Sequence, residues 1–174
     1  MAAAELNVKR AALRGEWEAI TNFYNRHRRR RMLGNDVPVI ITITGDTLLH
    51  ICAQCGRTDV LKVLLKVMPE NVLRAKNKEG NTVLHEAVRT GIVEMAQVIL
   101  EMEEGLLSSR NVHGETPIYW AAMYGHKDML LFLYFAGRRR TCTTTTTTTS
   151  MDVRRNDGST ILHAALLGEF YGNN

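Results

Sequence analysis

A twelve-residue pattern recurs four times along the chain, and no other feature of the sequence restricts the fold as strongly. The copies begin at residues 45, 80, 114 and 158, so their starts are 35, 34 and 44 residues apart. They read GDTLLHICAQCG, GNTVLHEAVRTG, GETPIYWAAMYG and GSTILHAALLGE. Periods of this length are typical of solenoids, in which neighbouring units stack and bury a continuous core.

Each copy predicts a short helix, a turn and a longer helix. In the first three copies a second glycine, Gly56, Gly91 or Gly125, stands eleven residues after the first. The segments that follow have apolar residues at positions i, i+3, i+4 and i+7, which is the spacing of an amphipathic helix. These segments are RTDVLKVLLKVM, IVEMAQVILEME and HKDMLLFLYFAG. The predicted fold is therefore all-α, a solenoid of stacked helix-turn-helix units.

Glycine, threonine and histidine hold fixed places in the pattern and predict its turns and helix caps. Glycine can adopt the positive φ of the leading turn, and the threonine hydroxyl can cap the first helix. A histidine three residues after the threonine allows a reciprocal bond that resembles a capping box. The third copy has Tyr119 in place of the histidine, which weakens its cap. The predicted structural residues are Gly45, Thr47, His50, Gly80, Thr82, His85, Gly114, Thr116, Gly158, Thr160 and His163.

The second copy contains HEAVR, one residue short of the zinc-protease pattern HExxH. That pattern places two histidines on one helical face to hold zinc, and its glutamate activates water. Here Arg89 stands in place of the second histidine, and a permanent cation repels a metal ion. An enzyme that uses His85 and Glu86 is therefore the weakest interpretation. The chain also has no phosphate loop, nucleophile elbow or kinase signature, so neither catalysis, a cofactor nor a small-molecule substrate is expected.

The three cysteines, Cys52, Cys55 and Cys142, are too few for a four-cysteine zinc site. Cys52 and Cys55 are therefore expected to pack and not to hold a metal. An odd number of cysteines without a secretory signal at the amino terminus favours a cytoplasmic protein.

The excess positive charge lies at the start of the chain. Residues 1–31 contain eight Lys or Arg against three Glu, and the run HRRRR occupies positions 27–31. A solvated basic loop is the first interpretation; a nuclear-localisation signal or a contact with anionic lipid remains open. A nucleic-acid partner is not expected, because no aromatic residues interrupt the run for base stacking.

The twelve-residue pattern resembles the ankyrin repeat, whose consensus is G-x-T-P-L-H-x-A-A-x-x-G. The resemblance implies an ankyrin-repeat solenoid that binds a protein partner without catalysis. More narrowly, RAALRGEWEAI, LHEAVRTGIVEMAQVIL and ETPIYWAAMYGH resemble plant ankyrin proteins of the accelerated-cell-death type, the PGG-domain family. That likeness implies plant defence or stress signalling. Members usually continue into a carboxy-terminal membrane domain and are often found at the plasma membrane. The alternative is therefore the cytosolic part of a longer membrane-anchored signalling or transport regulator.

The resemblance also implies which residues touch a partner. In ankyrin proteins these flank the leading glycine or stand one and two residues before the second glycine. We expect Arg89, Met123 and Tyr124 to contribute most, because Arg and Tyr dominate binding energy at interfaces and Met adapts its shape. The corresponding residues are Asp46, Gln54, Cys55, Lys78, Glu79, Asn81, Arg89, Thr90, Val112, His113, Glu115, Met123 and Tyr124.

The repeats divide the chain into four parts. Residues 1–36 are predicted to form amino-terminal capping helices, which include RAALRGEWEAITNFY, and the basic loop. Residues 37–140 form the repeats, and the threonine-rich insertion 141–150 explains the spacing of 44 residues. Residues 151–174 form a partial repeat in which Glu169 replaces the second glycine. This last unit lacks an outer helix, so fraying is expected from about Arg138 onward.

Overall fold

The computed structural model describes residues 2–30, 40–141 and 154–171. Within these ranges the chain folds into α-helices joined by turns and two short 3-10 helices. An isolated bridge between Ile40 and Thr47 is the only β-type pairing recorded there. The helices are α1 (Ala2–Arg14), α2 (Trp17–Arg30), α3 (Leu48–Gln54), α4 (Thr58–Val67), α5 (Val83–Thr90), α6 (Val93–Met102), α7 (Pro117–Met123), α8 (Lys127–Thr141) and α9 (Ile161–Tyr171), and the 3-10 helices are Glu70–Arg74 and Glu104–Ser108.

The helices form two parallel rows. Inner helices α1, α3, α5, α7 and α9 pack one after another, and outer helices α2, α4, α6 and α8 form the second row. Each outer helix packs on the inner helix that precedes it in the chain. The prediction of an all-α solenoid of helix-turn-helix units is confirmed.

Turn glycines are required where the backbone turns and where units meet. Gly80 has φ +76°, and a β-carbon there would lie 2.8 Å from the backbone nitrogen of Val112 in the next unit. Gly91, with φ +72°, ends α5, and a β-carbon there would lie 2.9 Å from the His126 ring. A side chain at either position would strain the backbone and push adjacent units apart.

The core runs continuously through the stack. Leu49 and Leu84 are fully buried at equivalent places in the inner helices of successive units. Ala53 and Ala87 are completely inaccessible, and their small side chains let neighbouring helices approach closely. Because each unit buries its apolar face only against its neighbours, no unit is stable alone.

The amino-terminal unit repeats the same plan. Gly15, with φ +73°, separates α1 from α2, and Ile20 and Tyr24 of α2 are buried. The expected basic loop is wrong for residues 27–30, because α2 continues through them to Arg30. Arginine is a strong helix former, so the run extends the amphipathic helix instead of ending it. Arg31 lies outside the described residues.

Two features lie near the carboxy end of the stack. Helix α8 extends to Thr141, and positions 142–150 of the threonine-rich insertion lie outside the described residues. Helix α9 continues through Glu169, where the other copies turn, as far as Tyr171. Fraying from Arg138 onward stays a prediction.

Candidate partner-binding surface

Two of the capping histidines, His50 and His85, each join two units. In the second unit, His85 Nδ1 accepts a hydrogen bond from the Thr82 backbone N–H at 3.1 Å, so Nε2 carries the ring proton. Nε2 then donates to the Glu115 carbonyl oxygen of the next unit at 3.1 Å. Burial lowers the pKa of His85 to about 4, which keeps the imidazole neutral. The ring is a structural link and not a catalytic base.

The other units carry the same cap with local variation. His50 bonds Thr47 and reaches the carbonyl oxygen of Asn81 at 3.0 Å. His163 bonds Thr160 in the last unit, where the ring is exposed. In the third unit the backbone N–H of Tyr119 donates to the Thr116 hydroxyl at 3.4 Å, so that cap is one-sided.

Glu86 and Arg89 of HEAVR form an ion pair at 3.1 Å. The Glu86 carboxylate is almost fully buried, and burial raises its pKa although Arg89 and a hydrogen bond from Gln54 oppose the shift. Within the described ranges no group of three or more His, Cys, Asp or Glu side chains could hold a metal ion. The arrangement positions the Arg89 guanidinium at the surface.

Three predicted contact residues are corrected by the structure: Asp46, Asn81 and Glu115 are buried. Each follows a leading glycine, where its side chain bonds the neighbouring turn instead of facing a partner. Asn77 Nδ2 donates to Asp46 Oδ1 at 2.9 Å, which joins the first two turns. Hydrogen bonds from Thr42 and Thr44, together with Asn77, lower the pKa of Asp46 despite its burial.

These side-chain hydrogen bonds between turns, here called the ladder, continue through the third and fourth turns. Asn111 Nδ2 donates to Asn81 Oδ1 at 3.0 Å and to Glu115 Oε2 at 2.8 Å. Glu115 also accepts from Trp120 Nε1 at 2.8 Å and pairs with Arg155 at 3.0 Å. These bonds pair the polar groups that burial removes from water.

The turn tips are exposed. Lys78, Glu79, Val112 and His113 all face solvent. Their backbones are held in a row: the Val112 N–H donates to the Glu79 carbonyl at 2.9 Å. The tips therefore present varied side chains on a rigid edge.

The carboxyl ends of the inner helices supply the rest of the surface. Gln54, Arg89 and Met123 stand at equivalent places in successive units; Gln54 is half-buried and the other two are exposed. Thr90 and Tyr124 stand one residue further on. The Thr90 hydroxyl donates to the Ala87 carbonyl at 2.8 Å, whereas Tyr124 is 39% exposed.

Comparison with known proteins identifies the architecture. The family model described as ankyrin repeats (3 copies) matches residues 9–105 and 70–144. The chain belongs to the ankyrin-repeat family. Ankyrin repeats are an interaction fold that is generally non-catalytic, so the chain is a protein-binding module.

Individual relatives match only in part. Ankyrin repeat and SOCS box protein 2 of Homo sapiens is 37% identical over 82 residues, 47% of this chain and 13% of that protein. Neurogenic locus notch homolog protein 1 of Mus musculus is 32% identical over 87 residues, 50% of this chain and 3% of that protein. An ankyrin repeat protein of Rickettsia felis is 28% identical over 91 residues, 52% of this chain and 20% of that protein. The chain thus matches a fifth or less of the length of these relatives.

A row of aromatic rings packs next to the candidate partner-binding surface of this ankyrin-repeat chain. The ring of Trp120 packs edge-on against His85 at 5.4 Å and against Tyr124 at 5.7 Å between centroids. Tyr124 also stacks on His126, whose Nε2 bonds the Arg89 carbonyl oxygen at 3.0 Å. These contacts fix the exposed Tyr124 ring close to Arg89. Burial raises the pKa of Tyr124, so its phenol stays protonated.

Two exposed leucines extend this ankyrin surface and were missing from the sequence prediction. Leu13 stands two residues before Gly15, and Leu167 two residues before Glu169. They therefore occupy the same register as Met123, and both are exposed. The sequence would have indicated both leucines if the position two residues before the second glycine had also been considered in the degenerate first and last units.

The cysteines behave as packing residues. Cys52 is fully buried, and burial raises the pKa of its thiol to about 12. Cys55 is half-buried, and burial raises its pKa as well. Cys142 lies outside the described residues.

Proposed function

We propose that this ankyrin module captures a protein partner on the surface made by the turn tips and the carboxyl ends of the inner helices. The observation that carries the proposal is the fixed pair of Arg89 and Tyr124. Arg89 is oriented by the buried Glu86 carboxylate at 3.1 Å, and Tyr124 is held between Trp120 and His126. Side chains ordered before binding lose little conformational entropy on association.

The polarity of this surface changes along the stack. Gln54 and Arg89 are polar, whereas Met123 and Leu167 at the equivalent places of later units are apolar. A partner that crosses the units would place a hydrogen-bonding or acidic group against Arg89 and an apolar group against Met123. Tyr124 lies close to both Arg89 and Met123, and its ring and hydroxyl can make either an apolar or a polar contact.

The test is affinity purification from the native tissue with wild type and variants. Tyr124→Ala is expected to weaken capture about tenfold, the effect of losing a contact worth about 1.4 kcal/mol, and Arg89→Ala is expected to act similarly. Tyr124→Ala leaves the ion pair intact, so its effect does not come from an uncompensated Glu86. Gln97→Ala on the exposed side of α6 is the matched control. Unchanged capture by both surface variants would refute the assignment.

We further propose a role in plant defence or stress signalling and a cytoplasmic location. The role is supported by the likeness of the quoted segments to plant proteins of the accelerated-cell-death type, and the location by the odd number of cysteines. The alternative, the cytosolic ankyrin part of a longer membrane-anchored regulator, rests on the same likeness. No helix within the described parts of the chain has the length and apolar character that crossing a membrane requires. Sequencing the full transcript decides between the two: downstream apolar segments of about 20 residues would favour the membrane-anchored form.

A further inference from the structure

Glu86 is a buried carboxylate at a position that the other copies fill with apolar side chains. It stands six residues after its leading glycine and is 4% exposed. The equivalent residues, Ile51, Trp120 and Ala164, are at most 8% exposed. Burying an ionised carboxylate is costly, because the interior of a protein solvates a charge less well than water does. Packing alone therefore does not account for a glutamate in this place.

Two side chains compensate Glu86. Arg89 Nε and Nη2 both donate to Glu86 Oε2 at 3.1 Å, and Gln54 of the preceding unit also donates to the carboxylate. The two contacts from Arg89 use two of the five N–H donors of its guanidinium. The Arg89 side chain is 41% exposed, against 5% for that of Glu86, so a partner can reach the donors that remain. Arg89 is thus a hydrogen-bond donor at the surface whose charge is balanced within the protein.

A second carboxylate lies near this ion pair. Asp46 is held in its charged form by hydrogen bonds from neutral donors, which lower its pKa despite its burial. These donors are Thr42, Thr44 and Asn77. The charge of Asp46 adds to the effect of burial in raising the pKa of Glu86. At neutral pH two carboxylates therefore surround one guanidinium.

Carboxylates also outnumber cations around Tyr124. Burial is the main reason that its pKa is raised; three carboxylates raise it further, whereas Arg89 opposes the shift. The carboxylates are Glu79 on an exposed turn tip, Glu86, and Glu115, which pairs with Arg155. An anion placed on the Tyr124 ring would therefore be repelled, as would one placed on Arg89.

These charges determine which group of a partner suits Arg89. A partner carboxylate would be attracted by the guanidinium but repelled by Glu86 and Asp46. Because the Coulomb energy falls only as the inverse of distance, that repulsion offsets much of the attraction. A carbonyl oxygen accepts a hydrogen bond from the same charged donor without this repulsion. A neutral acceptor is therefore favoured over an acid.

We infer that Arg89 binds an uncharged acceptor of the partner, such as a main-chain carbonyl oxygen, and that Glu86 makes the site select against acidic segments. An aliphatic side chain of the same segment would contact Met123 and Tyr124, which are each 39% exposed. Glu86 acts through Arg89 and does not touch the partner, so it is a positioning residue. The inference rests on the proposed function and specifies the chemistry of its partner.

The test selects binders from a displayed library of random twelve-residue peptides. Peptides that bind the immobilised wild-type chain and do not bind Arg89→Ala are expected to be rich in aliphatic residues, with no more Asp and Glu than the unselected library. The same selection on Glu86→Gln, depleted on its own Arg89→Ala counterpart, should raise the Asp and Glu content at least twofold. Glu101→Gln, on the exposed side of α6, is the matched control, because it makes the same charge change and should select the wild-type peptides.

Salt dependence supplies a second measurement, which needs no variant and decides the question even if Glu86→Gln fails to fold. A peptide retained by the wild type is labelled for fluorescence polarisation and measured in 50 and 500 mM NaCl. Its Kd is expected to change less than about threefold, because salt screens contacts between charges far more than hydrogen bonds to a neutral acceptor.

The outcomes separate this inference from the proposed function. Wild-type peptides enriched in Asp or Glu, a larger rise of Kd with salt, or the same peptides from wild type and Glu86→Gln would each overturn the inference and leave the binding site in place. An equal shift in peptide composition with Glu101→Gln would also overturn it, since net charge would then be the cause. Failure to find any peptide that distinguishes wild type from Arg89→Ala would refute the proposed function itself, and this inference with it.

Discussion

Replacing His85 with alanine tests whether the capping histidines hold the stack together. A cap alone contributes about 1 kcal/mol. His85 does more, because it is fully buried and bonds Thr82 in its own unit and the Glu115 carbonyl of the next. Alanine would leave a buried N–H and a buried carbonyl unpaired, at a cost of about 1 to 3 kcal/mol for an unsatisfied group. We expect His85→Ala to lower the free energy of unfolding by about 2 to 4 kcal/mol.

His163→Ala is the matched control for this measurement. His163 makes the same cap to Thr160, but its ring is exposed at the end of the stack, where water can replace the lost bonds. Its loss should therefore cost about 1 kcal/mol or less. Urea unfolding followed by circular dichroism gives both values, provided that the slope of the unfolding free energy against urea concentration is the same in the variants and the wild type. Equal losses for the two variants would refute the reasoning that the link between units, and not the cap, supplies most of the stability.

Three further outcomes are expected. Gly80→Ala should destabilise the protein more than Gly125→Ala in the same urea assay: both have positive φ, but only Gly80 has a backbone atom, the Val112 nitrogen, within 3 Å of the new β-carbon. The His85 contribution to stability should be full above about pH 6.5 and fall by about 3 kcal/mol towards pH 4, because the unfolded state protonates His85 first; a smaller fall in the His85→Ala background identifies the group, since His50, whose pKa burial also lowers, still contributes there. Glu115→Ala should lower the thermal midpoint, because it leaves Trp120 Nε1 and Asn111 Nδ2 without their shared carboxylate; an unchanged midpoint would contradict the ladder.

The repeat and its caps were predictable because their physical causes are local. Thr82 and His85 are three residues apart, so their reciprocal bond depends only on the first turn of one helix. Positive φ at Gly91 likewise follows from the need to reverse the chain within a few residues. The basic run was predicted wrongly because composition alone does not indicate where α2 ends.

The contact residues were harder to predict. Asp46, Asn81 and Glu115 are polar and follow turn glycines. Exposed contact residues have the same two features in a sequence. Each bonds groups from about 30 residues away or from a neighbouring turn, as Asn111 Nδ2 does with Asn81 Oδ1. No local spacing reveals a bond of that range.

Local sequence alone decided the period, the two helices of each unit and the residues that cap them, because these depend on backbone conformation within a few residues. Tertiary structure decided which polar side chains join the units and which face outward, since burial depends on the neighbouring unit. Arg89 and Glu86 show the difference within one helix: they are three residues apart, yet one is exposed and the other buried. Stacking likewise leaves Leu162 exposed at a position where Leu84 is fully buried.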